Sequence, residues 1–184
     1  PIGSDTTAFS GTLTGDNHTI TNLYINSPSS NYIGFFGQLD GDVKELKFQN
    51  ASISGLNNVG LLAGRQFLTS SVISRIQADN ISVTINGLQT GGLVGYSKGQ
   101  INKVKLTNLS ITDGTCDSSK YQVGGLVGWL GGGQVSEVSV QGIINTCRYQ
   151  VGGLFGKFAD NANLTDSYAL VNATGNKEVG GLIG

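Results

Sequence analysis

Two cysteines stand at matching places ahead of a repeated Tyr-Gln-Val-Gly-Gly. Cys116 precedes Lys120-Tyr121-Gln122-Val123, and Cys147 precedes Arg148-Tyr149-Gln150-Val151. Stacking Tyr121 on Tyr149 would carry both sulfurs to one edge, so a disulfide is expected; the alternative is two unrelated free thiols. The spacing is uneven: Cys116 lies seven residues before its Val and Cys147 four, so the earlier loop must bulge by three. Such a bridge stabilises by ~3 to 4 kcal/mol and belongs to proteins folded in an oxidising compartment. No Cys-x-x-Cys pair accompanies it. With one histidine, His18, neither a His-based metal site nor a His-Glu-x-x-His protease is expected, and no metal or cofactor is predicted.

Hydrolysis of a polysaccharide would need clustered carboxylates with Arg or Lys on the same face. The 12 acids are scattered, and Asp40/Asp42 and Asp113/Asp117 are the closest groupings. Both stand near glycine in apparent turns, where Asp has a structural reason to be. Catalysis is not expected, and a polysaccharide-degrading enzyme is the least favoured reading.

Six Asn-x-Ser/Thr sequons occur, at Asn17, Asn50, Asn80, Asn108, Asn163 and Asn172. Asn50, Asn80 and Asn108 each follow an apolar strand position by two residues and should stack. They fit either an inward or corner asparagine ladder or an outward row of N-glycans, with the ladder or turn favoured. Asn17, Asn163 and Asn172 are the better glycan candidates. A further row, Gln38, Arg65, Tyr96, Trp129 and Lys157, follows the closing glycine of a repeated signature. Facing outward, its cationic and aromatic members would suit carbohydrate stacking or cation–π contact with a partner; the plain alternative is a mixed surface without a ligand.

The elements that must position these residues are repeats. A signature close to Val-Gly-Gly-Leu-Val-Gly returns six times, closing on Gly37, Gly64, Gly95, Gly128, Gly156 and Gly184, at intervals of 27, 31, 33, 28 and 28 residues. Periods of this size mark a solenoid or related array. Between signatures runs a second pattern, apolar-x-x-apolar-x-apolar: Ile20, Leu23, Ile25; Val43, Leu46, Phe48; Ile73, Ile76, Ala78; Ile101, Val104, Leu106; Val135, Val138, Val140; and a degenerate Leu164, Ser167, Ala169. Its alternating pairs and β-branched residues predict strand. With 29 glycines spread through the repeats, each costing a helix interior ~1 kcal/mol relative to Ala, no helix survives.

The expected fold is therefore all-β: a parallel β-solenoid of about six coils, right-handed by the usual chirality of parallel connections, with equivalent residues stacked at ~4.8 Å. Residues 1–184 form one array, with repeats near 9–41, 42–70, 71–100, 101–134, 135–162 and 163–184. The chain is expected to be part of a longer array. A propeller blade needs ~40 to 45 residues, more than these periods supply. The signature glycines are read as backbone-packing positions, because no Lys-Ser/Thr follows them as in a phosphate-binding loop.

The signature copies, together with Phe9-Ser10-Gly11-Thr12-Leu13-Thr14-Gly15-Asp16-Asn17-His18-Thr19-Ile20, resemble the GLUG-motif repeat family over essentially the whole chain. Such repeats occur in large secreted or surface-attached proteins, including IgA-cleaving metallopeptidases and adhesin-like proteins. There they are non-catalytic stalk regions, and for this chain the resemblance implies a surface location. The first two copies depart from Gly-Gly, carrying Ile33-Gly34 and Gly60-Leu61.

A net charge of −1 offers no basic field for nucleic acid or an anionic membrane. No apolar run nears the ~18 residues of a membrane helix, so membrane insertion is not expected here. The function expected is an extracellular structural rod or filament-forming scaffold that associates with itself, with an adhesin-type module recognising a glycan or partner surface as the alternative.

Overall fold

The recurring apolar-x-x-apolar spacing has a backbone cause: the second x is a residue in the left-handed region. Glu45 between Val43 and Leu46, Arg75 between Ile73 and Ile76, and Asn80 between Ala78 and Ile81 have φ of 58°, 53° and 57°. In a straight strand inward side chains alternate with outward ones. A left-handed residue turns the chain through a corner, so two residues rather than one separate consecutive inward side chains.

The computed structural model describes residues 2–4, 6–119 and 121–184; Lys120, which follows the first cysteine, lies outside them. Every strand pair among the described residues is parallel and no helix occurs. The chain coils as a β-solenoid of about six turns with three walls. The long wall stacks Asp42–Gly55, Val72–Ile85, Gln100–Asp113 and Gln134–Asn145. Thr12–Thr14, Thr19–Thr21 and Tyr24–Ser27 cover one edge of it, and Asn163–Thr165 and Tyr168–Thr174 the other. The second wall carries Thr90–Gly91, Tyr121–Gly124, Tyr149–Gly152 and Lys177–Gly180. The third carries Phe36–Leu39, Ala63–Gln66, Val94–Ser97, Val127–Leu130 and Phe155–Phe158.

Among the described residues, the 17 non-glycine residues with positive φ all fall at three corners. The first holds Glu45, Arg75, Lys103, Glu137 and Asp166, with Asp16 and Asn17 in the opening coil. Asn22, Asn50, Asn80 and Asn108 occupy the second, and Tyr32, Asn58, Gln89, Gln122, Gln150 and Glu178 the third. The second corner ends after Asn108: Thr107 and Asn108 face a single residue of the next strand, because the register jumps between Leu106 and Leu109. Gly142 follows there, pressed against the backbone of Leu109 where a Cβ has no room.

Between the walls lies an apolar core in which Val43, Ile73, Ile101 and Val135 stack in register, as do Leu62, Leu93, Leu126 and Leu154 along the turn into the third wall. A polar cluster lies within it. Gln66, fully buried, donates to the Ser71 carbonyl at 2.9 Å and accepts from Ser97 Oγ at 2.7 Å.

Two alignments in the opening coil differ from the expected frame. Ile20 pairs with Phe48 and Ile25 with Ile53, while Leu13 takes the place opposite Val43. The apolar spacing occurs twice in each of the first three long strands, once per corner, so Ile20, Leu23 and Ile25 match its second half. The first signature also begins at Ile33, paired with Val59, while Phe36 pairs with Ala63. It is one residue short, and Tyr32 is a corner residue. Ile2 pairs with Phe36, which makes Ile2-Gly3 the tail of another signature.

Candidate functional site

The cysteines close a bracket across neighbouring coils. Cys116 and Cys147 form a disulfide with their Cα atoms 5.7 Å apart, and Tyr121 pairs with Tyr149, ring centroids 5.2 Å apart. Beside them Arg148 is fully buried and donates from Nε to Asp113 Oδ1 at 2.6 Å. Its Nη1 donates to the Gly87 carbonyl at 2.7 Å and its Nη2 to the Thr115 carbonyl at 3.2 Å. Asp113 Oδ2 accepts from Thr146 Oγ1 at 2.9 Å and from the Cys147 amide at 2.7 Å. Three coils are thereby tied at one loop cluster. A buried charge needs this density of partners.

Other acids singled out by spacing are also engaged. Asp42 accepts from the Val72 amide at 2.9 Å, Asp40 from Gln38 Nε2 at 3.3 Å, and Asp117 from Ser119 N and Oγ at 3.0 and 2.6 Å. At the first corner Glu45 pairs with Arg75 at 2.7 Å and Glu137 with Lys103 at 3.9 Å. Asp79 accepts from Thr107 Oγ1 at 2.6 Å and Asn108 Nδ2 at 2.8 Å. These bonds, Thr107 first, hold its carboxyl below the ordinary Asp range, since both favour the ionised form.

Asn50, Asn80 and Asn108 occupy the second corner, as their tolerance of left-handed backbone allows. All three are exposed, so no inward ladder forms. Asn80 Nδ2 donates to Asn50 Oδ1 at 2.8 Å, but Asn108 turns instead to Asp79. Asn17, Asn163 and Asn172 are exposed as well; Asn17 is a corner residue, Asn163 starts a strand, and Asn172 pairs with Ile143 on the long wall.

The closing glycines sit where the third wall crosses the third corner of a neighbouring coil. A Cβ on Gly64 would lie 2.6 Å from the Ile33 nitrogen, and on Gly95 2.5 Å from the Val59 nitrogen. Gly156 and Gly184 press likewise on Val123 and Val151, and Gly37 on the backbone of Gly3. Real Cβ contacts of that length do not occur, so the closing glycine is required by close approach of two backbones.

One residue further on, Gln38, Arg65, Tyr96, Trp129 and Lys157 are register partners in a single column. Tyr96 and Trp129 meet edge to face with centroids 5.2 Å apart, Lys157 Nζ lies 4.8 Å over the Trp129 ring, and Arg65 sits 3.9 Å over Phe67 and 5.7 Å over Tyr96. Such contacts are worth ~0.5 to 1 kcal/mol each at exposed sites. Gln38 is nearly buried and turned toward Asp40. Between this column and the third corner runs a groove of about 280 Å³, lined by Tyr32, Asn58, Arg65, Gln89, Tyr96 and Trp129. Sequence spacing shows the column but not the corner residues facing it, because their alignment depends on backbone turns.

Fold and corners together define a parallel β-solenoid repeat array. Half of the chain is similar to halomucin of Haloquadratum walsbyi: 96 residues, 51% of the chain, are 42% identical, and they span 1% of that protein. A crystal structure from Bacteroides ovatus, provisionally assigned as an immunoglobulin A1 protease, shares the fold with a TM-score of 0.66 and 22% identity. The match covers 92% of this chain and 54% of that one. No family model matches the chain, so the GLUG-repeat resemblance rests on the repeated residues themselves.

Proposed function

We propose that this chain is a non-catalytic rod segment of a secreted or cell-surface protein, serving as scaffold or stalk. The observation that carries the reading is unbroken parallel stacking along the third wall, from the Ile2–Phe36 pair to the Phe155–Ile183 pair. Each coil contacts its neighbours, so length can be added without changing the core. The Cys116–Cys147 disulfide supports an oxidising, extracytoplasmic location, and the partial similarity to halomucin and the fold likeness to the Bacteroides chain agree with a long extracellular protein. The acids closest in sequence hold loops together, which favours a structural over a hydrolytic role.

Self-association belongs to the same reading. In the coil containing Tyr168–Thr174 and Lys177–Gly180, Leu170, Val179 and Ile183 are exposed beside open strand edges, a surface that another coil of this or a second chain would cover. Labelling intact source cells with an antibody to this segment tests the location: signal without permeabilisation supports the reading, and signal only after permeabilisation refutes it. The adhesin reading is favoured by one feature, the aligned aromatic and cationic column.

A further inference from the structure

We propose that the groove between that column and the third corner is a binding site for an acidic oligosaccharide lying along the solenoid axis. The inference goes beyond the scaffold reading, and a rod that binds nothing would still be a rod.

Unsatisfied chemistry is concentrated in this groove. Among the described residues the ion pairs are those of Arg75, Lys103 and Arg148; Arg65 has none, although Phe67 fixes its guanidinium from one side. No carboxylate lines the groove. Side-chain amides bond elsewhere along the corners, Gln122 to Gln150 at 3.0 Å and Asn80 to Asn50 at 2.8 Å. Those of Asn58 and Gln89 have no partner among the described residues, and both line the groove.

A guanidinium without an acid, two free amides and aromatic edges match a polyhydroxylated chain carrying carboxylates. Amides both donate and accept, as hydroxyl groups require, and a guanidinium grips a carboxylate through two parallel bonds. The lining residues form three levels drawn from four successive coils, Arg65 beside Tyr32, Tyr96 beside Asn58 and Trp129 beside Gln89, and a rise of ~4.8 Å per level is close to the length of one sugar ring. A peptide fits less well: the groove offers neither an open strand edge nor aliphatic pockets for alternate side chains. Lys157 covers a face of Trp129, so the rings contact the sugar by their edges and flanks rather than as a flat platform.

Trp129 is the only tryptophan, so its fluorescence reports directly on the groove. The chain is titrated with oligogalacturonates of one to four sugars, with neutral cello-oligosaccharides of the same lengths, and with sodium acetate. A saturable change is expected with the acidic series, tightening about tenfold or more from monomer to trimer and then levelling off. Arg65→Gln should abolish the preference for acidic over neutral chains. Gln89→Gly removes an amide while easing a left-handed corner, so it should keep the fold and weaken binding about threefold or more. Lys103→Gln, at another corner, should change nothing. Absence of any fluorescence change and of any calorimetric heat with all three probes would overturn the proposal. An equal response to acetate, or an acid preference untouched in both groove variants, would overturn it too.

Discussion

Gly128 rests against the amide of Thr90: a Cβ added to the glycine would lie 2.5 Å from the Thr90 nitrogen and 2.6 Å from the Gln89 carbonyl carbon. Both neighbours are backbone, so relief requires moving a wall. Gly128→Ala should therefore cost about 3 kcal/mol or more, the upper end of overpacking. Gly181 has nothing within 4 Å of its would-be Cβ, and Gly181→Ala should stay within about 0.5 kcal/mol. Urea midpoints of the two variants check the contrast.

Thr90 stands in the inward column Ile33, Val59, Thr90, Val123, Val151 and Val179. It is fully buried, and its hydroxyl finds no partner. An unpaired buried hydroxyl costs ~1 to 3 kcal/mol, and valine has nearly the same shape. Thr90→Val should raise stability by about 1 kcal/mol, read as a higher urea midpoint at constant slope.

Much of this packing was legible in the sequence, because the closing glycines and triplets such as Val43, Leu46 and Phe48 follow directly from backbone crossings and corners. The opening coil was not. Its Ile20, Leu23 and Ile25 fit either half of a long strand, and only pairing with Phe48 and Ile53 decides. A six-residue frame closing on Gly37 would put Tyr32 opposite Val59, but the first signature is one residue short and Ile33 stands there. Arg148 carried no spacing signal: its partners come from loops at Gly87, Asp113 and Thr115, and loop closure has no period.

The second corner tests the left-handed backbone directly. Asn80 has φ of 57°, a region where a β-branched residue is a genuine outlier. Asn80→Val should cost about 1 to 2 kcal/mol and Asn80→Gly should be neutral within about 0.5 kcal/mol, measured by chemical denaturation.

Removing Asp113 would leave the fully buried Arg148 charge without its carboxylate. Asp113→Ala should cost about 3 to 5 kcal/mol. Replacing both Cys116 and Cys147 by alanine should cost about 3 kcal/mol. Since Asp113 also accepts from the Cys147 amide, the combined variant should lose less than the sum, which a double-mutant cycle reads.

A rod of this kind requires the coils to stack in register along one axis. Electron cryo-microscopy of the native protein, with this segment marked by a bound antibody fragment, measures it most directly. A straight rod is expected at the marked position, with an axial rise of ~4.8 Å per coil. A compact particle there, or a segment lacking that rise, would contradict it.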